Sequence, residues 1–128
     1  MITRRSLALL AAMALTTGGW ALPAVAQAAG GTTGSLTCFG HHATIVGTGK
    51  DDDIVGTSGN DVIVTLGDAD TINGEGGNDL ICSGGDADTI HGGTGNDKID
   101  GGPGDDVIFG SPGNDLIIGG AGDDEIFG

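Results

Sequence analysis

Basic side chains are scarce in this chain of 128 residues, which has four lysines and arginines against 18 acids and a formal net charge of −14. All the acids fall between Asp51 and Glu125, and Arg4 and Arg5 lie outside that stretch. Nucleic acids and anionic membranes are themselves negative, so this balance excludes both as electrostatic partners. The composition favours cations as ligands.

Long apolar runs are also missing. The longest, Leu7–Leu15, is too short to span a bilayer, so we predict no membrane insertion. With Arg4 and Arg5 before it and an alanine-rich cleavage site after it, this run indicates an export signal over residues 1–28. We therefore expect a secreted, extracellular protein that uses the general secretory route in preference to the twin-arginine route.

Catalytic and transition-metal motifs are absent from the sequence. No serine, cysteine or histidine stands in a nucleophile motif, and no room remains for a catalytic domain, so we predict that the protein is not an enzyme. His41 and His42 would point to opposite faces of a strand, and neither they nor His91 has an evident third ligand nearby. An EF-hand loop starting at Asp68 would have the wrong residues at its fifth and sixth positions.

What the chain does contain is a nine-residue repeat that runs from Gly47 to Phe127 in nine successive units. The eighth position is isoleucine in every unit, and the sixth is always aspartate. The aspartates are Asp52, Asp61, Asp70, Asp79, Asp88, Asp97, Asp106, Asp115 and Asp124. A fixed short period indicates a solenoid, in which each unit covers the apolar face of its neighbour.

Each unit divides into a turn and a short strand. The first five positions are mostly Gly, Asn, Asp, Ser or Thr, which favour turns. The last three positions form a strand that sends its isoleucine inward and its flanking residues outward. A helix is excluded, because a nine-residue period would place successive isoleucines on opposite faces. We therefore predict an all-β, parallel, two-sheet solenoid with 18 residues per coil and a thin isoleucine core.

The units resemble the GGxGxDxUx calcium-binding repeats of the RTX (haemolysin-type) family, and the resemblance covers 81 of the 128 residues. It implies a parallel β-roll that holds calcium between stacked turns, with the nine sixth-position aspartates and turn carbonyls as ligands. The glycines whose carbonyls it implies near the metal are Gly56, Gly59, Gly74, Gly77, Gly92, Gly95, Gly101, Gly104, Gly110, Gly113, Gly119 and Gly122. Relatives of this kind often carry a protease, lipase or pore-forming region, which is missing here.

Odd and even units differ in their turns. Every even turn ends Gly-Asn-Asp, whereas Lys50, Asp68 and Asp86 replace the fourth-position glycine in odd units. Aspartate tolerates a left-handed backbone better than lysine, so the first odd site should be the weakest. Ions between turns two units apart would number at most four on the odd edge and three on the even edge.

The segment before the roll, residues 29–46, ends in a degenerate capping unit from Cys38 to Val46, with Ile45 in the isoleucine slot and Ala43 in place of aspartate. The roll itself occupies residues 47–128. We expect the bare C-terminal edge of the roll to be able to pair with another strand or chain.

Cys38 and Cys82 are the only cysteines and are 44 residues apart, close to two and a half coils. A regular roll would hold them too far apart to bond, so a disulfide requires the leading segment to fold back. The outer face of the even sheet is unusually apolar, and we hypothesise that residues 35–46 cover part of it, pinned by a Cys38–Cys82 disulfide. The alternative is that both cysteines are free or pair between chains.

Three functions remain open at this stage. The leading one is a secreted calcium-binding protein whose roll folds at about millimolar extracellular calcium, since oxygen-only ligands favour calcium over magnesium. The second is a calcium-dependent structural or adhesive module that binds a cell-surface partner or itself through the apolar even-sheet face or the C-terminal edge. The third, an enzyme, is disfavoured by the missing motifs.

Overall fold

The structure, a computed structural model, describes Arg5–Ser6 and residues 36–128. The predicted export signal lies outside the described residues except for that dipeptide, as does most of the leading segment. Every element in the described part is a β-strand. The strands are β1 (Arg5–Ser6), β2 (Thr37–Cys38), β3 (His41–His42), β4 (Ile45–Val46), β5 (Asp52–Val55), β6 (Val62–Val64), β7 (Thr71–Asn73), β8 (Leu80–Cys82), β9 (Thr89–His91), β10 (Lys98–Pro103), β11 (Val107–Phe109), β12 (Leu116–Ala121) and β13 (Glu125–Phe127).

Two parallel sheets are built from alternate units of the repeat. The odd units supply β5, β7, β9, β11 and β13, with β1 at the outer edge beside β5. The even units supply β6, β8, β10 and β12, preceded by β4. Within the roll, paired residues are 18 apart, as in Ile54 with Ile72 and Ile63 with Ile81. The predicted parallel β-roll with 18 residues per coil is therefore confirmed.

Isoleucine fills the space between the sheets, as the repeat predicts. Eight isoleucines form one buried ladder and are at most 1% exposed. They are Ile45, Ile54, Ile63, Ile72, Ile81, Ile90, Ile99 and Ile108. Ile117 packs partly against this ladder, while Ile126 in the last unit is 49% exposed. Each isoleucine is shielded by the equivalent isoleucines of neighbouring coils, because the register never shifts.

The leading segment folds back over the even sheet. Strands β2 and β3 form an antiparallel hairpin, in which Cys38 is buried and bonded to Cys82 in β8, with 5.8 Å between the two Cα atoms. Val64 in the neighbouring strand β6 is also buried. Farther along the same sheet Leu116 is 52% exposed. The predicted disulfide is present in the structure, and it joins the segment to the apolar face that it was expected to cover.

A stack of three rings on the outer face of the odd sheet was not predicted. His91 and Phe109 lie parallel with ring centroids 4.6 Å apart, and Phe109 and Phe127 lie 4.8 Å apart. All three occupy the ninth position of odd units, so the 18-residue register places them one above another. The stack reinforces the C-terminal coils from outside the core.

Six non-glycine residues adopt a left-handed backbone in the turns of the described region. Asp68 and Asp86 do so with φ of 65° and 70°, as their fourth positions predict, whereas Lys50 does not. Leu66 and Glu75 were not expected to be left-handed, yet their φ values are 93° and 74°. Both stand at the second position, where every later unit has glycine except the eighth, and Ser111 in that unit is left-handed too. The backbone path of the coil therefore outweighs the preference of the side chain.

Candidate metal sites

The sixth-position aspartates lie inside the roll, at the start of each strand. Side chains two apart in a strand share a face, so each aspartate points to the same side as the isoleucine that follows it. Seven are buried, namely Asp52, Asp61, Asp70, Asp79, Asp88, Asp97 and Asp106. Asp115 and Asp124 are partly exposed. The aspartates thus form one column along each rim of the core, in the place that the repeat predicts for them.

One oxygen of each carboxylate from Asp70 to Asp124 is used to stack the coils. The backbone N–H of Asp61 donates to Oδ1 of Asp79 at 2.8 Å, and the N–H of Asp79 donates to Oδ1 of Asp97 at 2.8 Å. Equivalent bonds join all the remaining pairs of aspartates that are 18 residues apart, from Asp52 to Asp124, on both rims. Each bond joins residues 18 apart, so the aspartates tie every turn to the turn of the next coil.

The other carboxylate oxygen has no protein partner in the middle of the roll. Oδ2 is buried without a hydrogen bond in five aspartates of the described region, and Asp52 has an unpaired Oδ1. The five are Asp70, Asp79, Asp88, Asp97 and Asp106. A buried carboxylate oxygen without a partner is strongly unfavourable, so these atoms require a proton or a cation.

Backbone carbonyls face these unpaired oxygens across spaces that glycine leaves open. A Cβ added to Gly92 would lie 2.7 Å from Oδ2 of Asp97 and 2.9 Å from the carbonyl oxygen of Gly110 in the next coil. Gly74 has the same arrangement with Asp79 and the Gly92 carbonyl. Gly101 repeats it with Asp106 and the Gly119 carbonyl. Each such place, here called a glycine cradle, brings a carboxylate oxygen close to a backbone carbonyl oxygen, and calcium prefers oxygen ligands of this kind.

The glycines implied as carbonyl ligands fall into two groups. Those at the first position each border the Oδ2 of the aspartate in their own unit, and they are Gly56, Gly74, Gly92, Gly101, Gly110 and Gly119. Those at the fourth position lie farther out in the turns, and they are Gly59, Gly77, Gly95, Gly104, Gly113 and Gly122. All of this second group except Gly59 have positive φ. Gly95 also packs so closely on the Gly77 carbonyl that a side chain would not fit.

Hydroxyl groups occupy the equivalent space in two odd units. Thr65 and Ser83 replace the first-position glycine and are fully buried. Oγ1 of Thr65 donates to the Ser83 carbonyl, and Oγ of Ser83 donates to the Gly101 carbonyl at 2.7 Å. The two hydroxyls therefore bond carbonyls that are equivalent, in the repeat, to the carbonyls of the glycine cradles. The repeat pattern did not predict a role for these two residues in the rims, although they interrupt the column of first-position glycines.

In the first two units a threonine bonds the aspartate carboxylate itself. The N–H and Oγ1 of Thr57 donate to Oδ2 of Asp61 at 2.6 and 2.9 Å. The N–H and Oγ1 of Thr48 bond Oδ2 of Asp52 in the same way. The oxygen that is unpaired in the middle units thus has two donors in the first two units.

A column of asparagines runs along the even rim. The N–H groups of Asn78, Asn96 and Asn114 donate to the Oδ1 of the asparagine 18 residues earlier, at 2.7, 2.8 and 2.9 Å. The first acceptor in the column is Asn60. The constant Gly-Asn-Asp ending of the even turns is the sequence signal for this column, because a short side chain with an acceptor oxygen has to recur every 18 residues.

The odd rim carries only one bond of this type among the described residues, from the Asp123 N–H to Oδ1 of Asp105 at 2.9 Å. Ala69 and Ala87 stand at the matching positions of earlier odd units and offer no side-chain acceptor. The two rims are therefore held by different side-chain bonds.

Burial shifts the acidity of the rim aspartates. It raises the pKa of Asp70 and Asp79 from 3.8 to about 7 and the pKa of Asp88 to about 6. The pKa values of Asp97 and Asp106 are raised for the same reason. Hydrogen bonds from the backbone oppose the shift, while repulsion from carboxylates of neighbouring coils adds to it. Burial therefore makes these groups easier to protonate in the metal-free roll than in an unfolded chain.

We expect the metal-free and metal-bound rolls to respond to pH in opposite directions. Because the raised pKa values mean that the folded chain binds more protons than the unfolded chain, metal-free stability should be greatest below pH 3.8 and decline as the pH rises towards about 7. Cation binding requires ionised carboxylates, so the calcium affinity should fall by about tenfold or more between about pH 7.5 and about pH 5. Calorimetric titrations and circular dichroism at both pH values would measure this, and an affinity that stays constant would contradict it.

The described residues hold no side-chain metal cluster and no membrane-spanning helix. Residues 36–128 contain no group of three or more histidine, cysteine, aspartate or glutamate side chains placed to hold one metal ion. The rim sites differ from such clusters, since each glycine cradle combines one carboxylate oxygen with backbone carbonyls. The part of the chain covered by the structure also has no helix long and apolar enough to cross a membrane.

Comparison with known proteins gives one match. The family profile described as the RTX calcium-binding nonapeptide repeat matches residues 46–81, 83–117 and 100–128. These ranges include all nine sixth-position aspartates and both rims. No curated protein and no solved structure is significantly similar to the chain.

Proposed function

Since this chain belongs to the RTX calcium-binding nonapeptide repeat family, we propose that it is a secreted protein whose β-roll folds when calcium binds between its stacked turns. Calcium binding is the property that the family implies. One observation carries the proposal for this chain. Buried aspartate oxygens without a hydrogen-bond partner lie close to backbone carbonyls of the next coil.

The dependence of folding on calcium follows from the charges along the rims. Asp79 is buried between Asp61 and Asp97 in the same column, and both of these neighbours raise its pKa by repulsion. At neutral pH the chain must either protonate such groups or bury them ionised, and each course opposes folding. A divalent cation reverses the sign of the interaction. We therefore propose that the metal-free chain is extended at neutral pH.

The ligands with the strongest support are those of the three glycine cradles. Asp79, Asp97 and Asp106 would each supply Oδ2, and carbonyls of the following coil would supply further oxygens. Calcium takes six to eight oxygen ligands and accepts irregular geometry, whereas magnesium requires a tight octahedron. When bound, the ion supplies positive charge that links consecutive coils. The other six aspartates remain predicted ligands.

Export fits this mechanism. A chain that stays extended at low calcium can be threaded unfolded through a membrane, and it would fold outside, where about millimolar calcium is typical for extracellular modules. The predicted signal over residues 1–28 supports this proposal, as does the family, whose repeats are typical of secreted proteins. The Cys38–Cys82 disulfide also belongs to an oxidising compartment.

A calcium titration tests the proposal. Circular dichroism of the secreted chain at neutral pH should change from an unfolded spectrum to a β spectrum in one cooperative transition at about millimolar calcium. Chelation should reverse the change, and magnesium at the same concentration should not reproduce it. A β spectrum that is already complete in the presence of chelator, or a spectrum that calcium does not alter, would contradict the proposal.

The second candidate is a calcium-dependent structural or adhesive module. The observation that favours it is exposed apolar surface, with Leu116 and Ile118 on the even sheet beyond the hairpin and Phe127 on the odd sheet. Such a surface could bind a cell-surface partner or a second copy of the chain. Sedimentation with and without calcium distinguishes the two, since a module of this kind would associate only in the loaded state.

A further inference from the structure

We propose that hydroxyl side chains take the place of calcium in four turns of the roll, so that the ions are confined to the three glycine cradles. This inference rests on the proposed calcium binding and goes further, because it assigns which turns take an ion. The four hydroxyls belong to Thr48, Thr57, Thr65 and Ser83.

Thr65 and Ser83 act at the first position of their units. Each is fully buried where an even unit has glycine, and each hydroxyl donates to a carbonyl of the next coil. In a glycine cradle that carbonyl borders the open space. The hydroxyl supplies the positive end of an O–H dipole in place of an ion and fills part of the volume. Burial raises the pKa of Asp70 and Asp88, whose Oδ2 atoms are unpaired, and the neighbouring hydroxyls of Thr65 and Ser83 partly offset that rise.

Thr48 and Thr57 act on the carboxylate itself. In the first two units two donors from threonine already bond the Oδ2 that is unpaired elsewhere, so a cation there would have to displace both bonds. Gly56 has a carbonyl of the next coil nearby, as the glycine cradles do, yet its aspartate oxygen is satisfied. The Oδ2 atoms of Asp52 and Asp61 are therefore satisfied without metal, while Oδ1 of Asp52 stays buried and unpaired.

Three spaces remain that combine an unpaired Oδ2, a carbonyl of the next coil and no hydroxyl. They are the cradles at Gly74, Gly92 and Gly101. Two lie on the even rim and one lies on the odd rim, and the first of them belongs to the unit whose Cys82 holds the hairpin. The roll thus combines turns closed by hydroxyls with turns that require ions.

Counting bound calcium by equilibrium dialysis tests this assignment. The wild-type chain should bind three ions, fewer than the seven that the repeat number allows. The double variant T65G/S83G restores glycine at both odd positions and should bind two more. The control T71A/T89A removes the same number of hydroxyls from the outward positions of β7 and β9 and should leave the count unchanged.

The reverse substitution provides a second measurement if T65G/S83G does not fold. Gly92→Ser places a hydroxyl in an even-rim cradle, where the nearest atoms leave the most room of the three, and should remove one ion. A wild-type count of seven, or an unchanged count in a folded T65G/S83G chain, would overturn the inference and leave calcium binding intact. A wild-type chain that binds no calcium would instead overturn the proposed function.

Discussion

Replacing Ile90 by alanine is expected to destabilise the calcium-loaded roll by about 2 to 5 kcal/mol. Ile90 is fully buried, and in the register it lies between Ile72 and Ile108. The core is a single ladder with one isoleucine per unit, so no second layer of side chains can move into the cavity. The lost contacts and the cavity therefore both lower the free energy of unfolding. Urea unfolding at saturating calcium, followed by circular dichroism, measures the change in the free energy of unfolding.

Ile126 provides a matched control for this substitution. It occupies the same slot of the repeat in β13 but is 49% exposed, so Ile126→Ala leaves no closed cavity. Its cost should be below about 1 kcal/mol, since only part of the side chain leaves water on folding. Equal destabilisation by the two variants would show that the isoleucine ladder does not act as a buried core.

The Asp97→Asn variant is expected to lower the calcium affinity of the roll by at least about a hundredfold, more than is typical for groups that only support a metal ligand. Asp97 is buried, its Oδ1 accepts the Asp79 N–H, and its Oδ2 faces the cradle at Gly92. Asparagine can keep the first bond through its amide oxygen. It would, however, turn N–H donors towards the space proposed for the cation and remove one negative charge. Isothermal titration calorimetry measures the affinity.

Asp123 serves as the control for charge alone. Asp123→Asn removes the same charge from an exposed position in a turn of the odd rim, and its effect on affinity should stay within about threefold because exposed charges are screened by water and salt. The Asp97→Asn chain should still reach the β spectrum at sufficiently high calcium. If both variants bind calcium like the wild type, Asp97 is not a ligand.

The repeat predicts the architecture because its period is constant. A strand of three residues with isoleucine in the middle has only one way to bury that isoleucine against its equivalents two units away. The two sheets, their register and the core all follow from that condition, as the pairing of Ile54 with Ile72 illustrates. The disulfide could be anticipated for a related reason, since a regular coil cannot bring Cys38 to Cys82 and only a returning segment can.

The inner surface of the rims could be predicted less well. Aspartate at the sixth position indicates a carboxylate column, but which carboxylate oxygens stay unpaired depends on side chains at other positions. Thr57 satisfies one of them, and Ser83 bonds the carbonyl beside another, through contacts that follow from the path of the turn. The asparagine column and the left-handed Leu66 have the same origin. A local motif does not specify such contacts, because the partners are 18 residues away or across a turn.

The alternation of units between the two sheets also limits which changes in the number of repeats the fold can tolerate. Loss of the sixth unit, residues 92–100, would transfer every later unit to the opposite sheet, so that Asn114 would take a place in the column that contains Ala87, and the ring of Phe109 would leave that of His91. Loss or duplication of two units at once would keep every later residue on its own side. Natural variation in the length of such chains should therefore be tolerated in steps of 18 residues.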